Sequence, residues 1–98
     1  MINSAMTPPE LLASSLGTCI GVYVTQYLKQ IGIDPAGITV DVHFETVAEP
    51  LRIGKLHATV KVPTGIREER RAPVHKVAEH CLIHQTFCAG PEMVMEIA

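Results

Sequence analysis

The chain has 98 residues, of which 47% are hydrophobic and only 18% charged, with no Trp and a formal net charge of -2. Such a composition excludes disorder and describes one domain, large enough for a core yet small enough that association would help to bury its apolar surface. The two Tyr and two Phe lie apart from any Lys/Arg cluster, so there is no basic footprint for tracking phosphates, and nucleic acid is not an expected partner.

Residues 1–6 read as a short leader before a core at 7–98, and they lack the basic and apolar regions of a secretory signal. The expected location is therefore a reducing cytoplasm, where lasting structural disulfides are uncommon and the three cysteines are reactive or buried. Thr7-Pro8-Pro9-Glu10 is a helix start: Thr7 caps, proline is tolerated in the first turn, and Glu10 reaches back as the acid of a capping box. From Pro8 onward, Leu12, Leu16, Cys19, Ile20, Tyr23, Tyr27 and Leu28 recur at helical spacing. Leu11, Val22 and Val24 make the opposite side apolar too, which predicts a helix covered on most faces. Leu11 to Leu28 carries no charge, but its Ser, Thr, Gln and Gly residues and its length favour a buried helix over a membrane span. Gly32 and Pro35 end it. Ala13, Gly17 and Gly21 form a line of small residues four apart, against which another backbone can lie closely.

Ile38, Val40, Val42 and Phe44 alternate with Thr39, Asp41, His43 and Glu45, a period of two that predicts a strand with one wet face. A second run sets Leu56, Ala58, Val60 and Val62 against Lys55, His57, Thr59 and Lys61. The break at Glu49-Pro50 predicts an antiparallel hairpin with acids facing lysines, and with His43 and His57 on its solvated side. Arg67 to about Phe87 reads as a late helix, stopped by Gly90-Pro91. Met93, Met95 and Ile97 then alternate with Val94 and Glu96 as a closing strand.

Two cysteines on different helices, Cys19 and Cys81, suit a redox pair brought together by folding, because disulfide exchange needs sulfurs within bonding reach. Cys19 is equally readable as a small buried hydrophobe, and Ala78-Glu79-His80-Cys81 as an ordinary helix face. His80, Cys81, His84 and Cys88 have donor types and helical spacing from which a zinc site can be drawn, although histidines near a helix end often only cap carbonyls.

The stretches Pro8 to Val24 and Ala78 to Phe87, in that order with a strand hairpin between them, resemble the family of osmotically inducible protein C and the organic hydroperoxide resistance proteins (OsmC/Ohr). The resemblance covers Thr7 to Ile97, so the chain is expected to be a single OsmC-like domain. The implied fold is α+β: a long buried central helix with an antiparallel sheet and a second late helix, here with the family's N-terminal strands missing. Glu10-Leu11-Leu12 followed by Leu16-Gly17-Thr18-Cys19 occupies the place of the family's first helix and its reactive cysteine. The resemblance thus implies Cys19 as the thiol that attacks the peroxide and Cys81 as the thiol that resolves the sulfenic acid, with an external dithiol as reductant and no bound cofactor. It also implies an intertwined homodimer and an organic hydroperoxide substrate.

The chain departs from the hydroperoxide reductases where a carboxylate follows the first proline. Pro9 stands there, and the acid, Glu10, comes one residue later. The arginine of the family's leading strands is expected to be missing as well, with Arg52, Arg67, Arg70 and Arg71 as candidate substitutes and Glu10 and His84 as candidates for activating the thiol or contacting substrate. The family's proline after the second cysteine is Leu82, which predicts an unbroken late helix. Two other readings stand beside the peroxidase: a non-catalytic module binding a small apolar ligand, and a zinc-binding protein on His80, Cys81, His84 and Cys88.

Overall fold

The computed structural model describes residues 6–98, ordered as helix α1 (Pro8–Gln30), strands β1 (Thr39–Val47) and β2 (Arg52–Lys61), and helices α2 (Glu68–Glu79) and α3 (Leu82–Ala89). The leader expectation falls largely on residues 1–5, outside the described residues. The start of α1 is the one its residues dictate. The Thr7 backbone N–H and hydroxyl both donate to Glu10 Oε1, at 2.8 and 2.9 Å, and the Glu10 N–H returns a bond to Thr7 Oγ1 at 3.4 Å. Its buried stripe is Leu16, Ile20, Val24 and Leu28, with Val24 and Leu28 fully enclosed. The helix is long and apolar enough to cross a membrane by length and composition, but here that stripe is the domain's core, joined by Val74 of α2 and by Cys81.

β1 and β2 form a two-stranded antiparallel sheet in which Glu45 faces Lys55 and His43 faces His57, as the alternation predicts. An irregularity after Glu45 leaves Gly54 as an extra residue on β2. Only glycine fits there, because a Cβ would stand 2.7 Å from Val47 Cγ1. The small-residue line of α1 is used within the chain: Gly17 lies under β1, where a Cβ would meet Val42 Cγ2 at 3.2 Å.

Several expectations need correction. α1 lies chiefly along β1, so β2 is less covered and Ala58, expected inside, is exposed. The first helix is not covered on most faces either: Leu11 and Val22 are 55% and 50% exposed, and Leu12 is exposed too, whereas Val24 belongs to the buried side. The late helix is broken rather than continuous. Cys81 takes extended backbone angles and becomes the N-cap of α3. Two side-chain bonds stand in for the lost helical ones: Gln85 Nε2 donates to the Glu79 carbonyl at 2.8 Å, and Cys81 Sγ accepts from the His84 N–H at 3.3 Å. No proline at position 82 is needed for this break. Finally, residues 93–97 form no strand, and Met93, Val94, Met95 and Ile97 are all more than 70% exposed. An alternating pattern becomes a strand only where it meets a free sheet edge, and among the described residues this stretch meets none.

Candidate functional site

The break between α2 and α3 carries Cys81 to the inner wall of α1. Leu16 and Ile20 flank the Cys19 turn of α1, and the fold packs Cys19 against the core cluster that contains Cys81. Three free thiols result, of three kinds: Cys19 half-buried, Cys81 fully buried and Cys88 exposed. Burial is the largest influence on Cys81 and pushes its thiol above the ordinary range, and the adjacent Cys19 thiol pushes the same way. The backbone N–H groups of His84 and Ile83 oppose them without prevailing. Cys81 is thus a neutral thiol at the start of a helix, and its neighbour Cys19 is the member of the pair open to solvent. Such an arrangement can convert between two thiols and one disulfide, with the exposed sulfur meeting reactants.

The other candidates are placed elsewhere. Glu10 is nine residues before Cys19, two and a half turns of helix, on the opposite face and about 13 Å along the axis. Its carboxylate is held below the usual range, first by the Thr7 N–H and then by the Thr7 hydroxyl. It serves the helix cap, not the thiol. With Ala13, Gly17, Val40, Val42 and Phe44 it lines an open groove of about 420 Å³ between α1 and β1, on the side of the helix away from Cys19. His84 touches Cys81 only through its backbone, while its ring lies beside Cys88 Sγ, 3.7 Å from Nδ1 and 3.8 Å from Nε2.

The four residues of the zinc reading do not converge, and no group of three or more potential ligands does so among the described residues. His80 Nδ1 is 2.7 Å from the Lys76 carbonyl, and Cys81 is turned into the core. Of the arginines, Arg67 and Arg71 pair with Glu69 and Glu68, Arg52 bonds the Pro50 carbonyl, and Arg70 donates to Tyr27 Oη at 3.3 Å. This last bond, which the sequence did not signal, ties α2 to α1 two turns beyond Cys19. A Tyr and an Arg 43 positions apart have no local pattern to betray them.

A helix with a half-buried cysteine, a hairpin across it and a second cysteine in the late helical region follow in the order that residues 7–97 led us to expect, although the break at Cys81 was not expected. The profile of the OsmC-like proteins matches residues 2–96. The chain belongs to the OsmC-like protein family. Solved structures show the same fold. A Psychrobacter arcticus 273-4 protein, provisionally described as an osmotic stress induced and detoxification response protein, superposes with a TM-score of 0.81 at 24% identity over 87% of this chain. A protein from Lactobacillus casei ATCC 334, provisionally described as a redox protein, gives 0.65 at 21% identity over 89%. This OsmC-like chain spans 62% and 63% of the lengths of those two proteins. No curated protein matches it.

Proposed function

We propose that this OsmC-like protein is a thiol-dependent redox protein that reduces organic hydroperoxides through Cys19 and Cys81. The observation that supports this most is the placement of a solvent-reached thiol against a fully buried one, from helices 62 positions apart in sequence. The Cys19 thiolate attacks the peroxide's terminal oxygen, the O–O bond breaks, and the alkoxide takes a proton and leaves as alcohol. Cys19 sulfenic acid then condenses with the Cys81 thiol, expelling water and forming the disulfide. An external dithiol returns two electrons and two protons to the pair. Since Cys81 is wholly enclosed, the reductant reaches the sulfur of Cys19 first and Cys81 departs as the leaving thiol.

The working unit in this reading is a homodimer in a reducing cytoplasm, with the half-open side of α1 covered by the partner. That side, from Leu11 through Ser15, Thr18 and Val22 to Gln26, is exposed or nearly so and bears no charge. The test is thiol counting after one equivalent of cumene hydroperoxide. Loss of two thiols per chain with Cys19 joined to Cys81 supports the proposal, and unchanged thiols defeat it. A second reading, a non-catalytic module for a small apolar ligand, draws on the groove between α1 and β1, whose walls Val40, Val42 and Phe44 are apolar. Unchanged thiols together with saturable binding of a fatty acyl probe in that groove would favour it.

A further inference from the structure

The outer face of α3 carries a pair that the proposed redox cycle does not use. His84 and Cys88 are four residues apart on the same helix, the imidazole half-buried and the thiol exposed. Helical geometry alone sets such side chains one above the other. Here the contact is realised, with Cys88 Sγ 3.7 Å from Nδ1 and 3.8 Å from Nε2 of the ring. The near-equal distances set the sulfur over the ring, in line with neither nitrogen's lone pair. A turn of the ring about χ2, a soft torsion for histidine, together with rotation of the Cys88 side chain, brings a nitrogen's lone pair and the sulfur toward a common point.

We infer that His84 and Cys88 form a two-ligand site for a thiophilic divalent cation of the zinc class. A tetrahedral zinc ion with its usual bonds to sulfur and nitrogen holds those two atoms about 3.6 Å apart, close to the 3.7 Å seen between Cys88 Sγ and His84 Nδ1. The separation of the two atoms therefore suits a chelate, and side-chain rotation aligns the lone pair with the metal. Binding exchanges the thiol proton of Cys88 for the metal, so that a thiolate and a neutral imidazole become the ligands and one proton is released to solvent. Water fills the remaining positions, which keeps the site open, unlike a closed four-ligand structural site. The four-ligand arrangement drawn from sequence fails because His80 sits by its own helix's carbonyl and Cys81 faces the core, but the outward pair survives that failure. This inference is independent of the peroxidase reading.

Cobalt(II) titration of the fully reduced protein, watched by absorption and by competition with a metallochromic dye, tests it. The expected result is one cobalt per chain with thiolate-to-cobalt charge-transfer absorption. Cys88→Ala should abolish that absorption and, like His84→Ala, weaken binding at least ~10-fold. Cys88→His should bind without the thiolate band, which shows that the position and not merely a folded helix is being read. Cys81→Ser should bind as the wild type does, and Cys88→Ala should still lose two thiols to peroxide. Absence of the band in the wild type, its persistence in Cys88→Ala, or its loss in Cys81→Ser would overturn the inference.

Discussion

In the proposed cycle burial divides the labour of the two thiols, and substitution should separate their roles. Cys19→Ser is expected to stop peroxide consumption with the fold intact, since serine keeps the volume but has no nucleophilic thiolate at neutral pH. Turnover at the wild-type rate in that variant would remove Cys19 from the mechanism. Cys81→Ser should leave the first step working and trap sulfenic acid on Cys19, detectable with a dimedone-type probe. A variant that cycles normally, with a Cys19 to Cys88 link in the wild type's peptide map, would name the wrong partner. Cys81 also predicts a pH effect. Its pKa is raised in the folded chain, chiefly by burial, so folding favours the protonated thiol. That contribution is complete below the ordinary thiol pKa and is lost as pH rises from there through the raised value. Urea midpoints should therefore fall across the alkaline range, and Cys81→Ala should flatten that part of the profile.

Among the elements, α1 depends on its contact with β1. A Cβ at position 17 would stand 3.2 Å from Val42 Cγ2, whereas one at position 21 meets Val40 Cγ2 at an ordinary 3.8 Å. Gly17→Leu should therefore overpack the helix against the strand and cost about 1–3 kcal/mol. Gly21→Ala, relieved of glycine's helix penalty, should gain roughly 0.4–1 kcal/mol. Denaturant melts of the two variants give the comparison, and equal shifts would mean that α1 does not seat on β1 as described. The break at Cys81 belongs to this scale as well. It costs helical hydrogen bonds, but Gln85 and the Cys81 sulfur restore two of them, and the turn thus made is what delivers a thiol to α1.

For the whole molecule, the uncharged open side of α1 and the exposed apolar residues 93–97 leave more apolar surface than a lone small domain usually shows. Light scattering should give twice the 10.6 kDa chain mass at micromolar concentration. Val22→Lys, at a position half exposed in the single chain, should shift that mass toward the monomer without unfolding it. A wild-type monomer would defeat the homodimer proposal.

Local chemistry was enough to reveal the cap at Thr7 and Glu10, the course of α1, the hairpin and its facing residues, and both cysteines of the candidate site, because caps, periodicity and turn residues act over a few positions. The order of those parts was also enough to suggest the family. Tertiary packing decided the rest. Whether Cys81 ends a helix depends on a buried sulfur and on Gln85 reaching back to Glu79, which no helical pattern encodes. Whether residues 93–97 become a strand depends on an edge to pair with, and an alternating sequence cannot supply its own. Which faces of α1 are covered, and whether Glu10 or His84 reaches a thiol, follows from where the other elements lie, since a helix presents every side to some neighbour and only the folded chain says which.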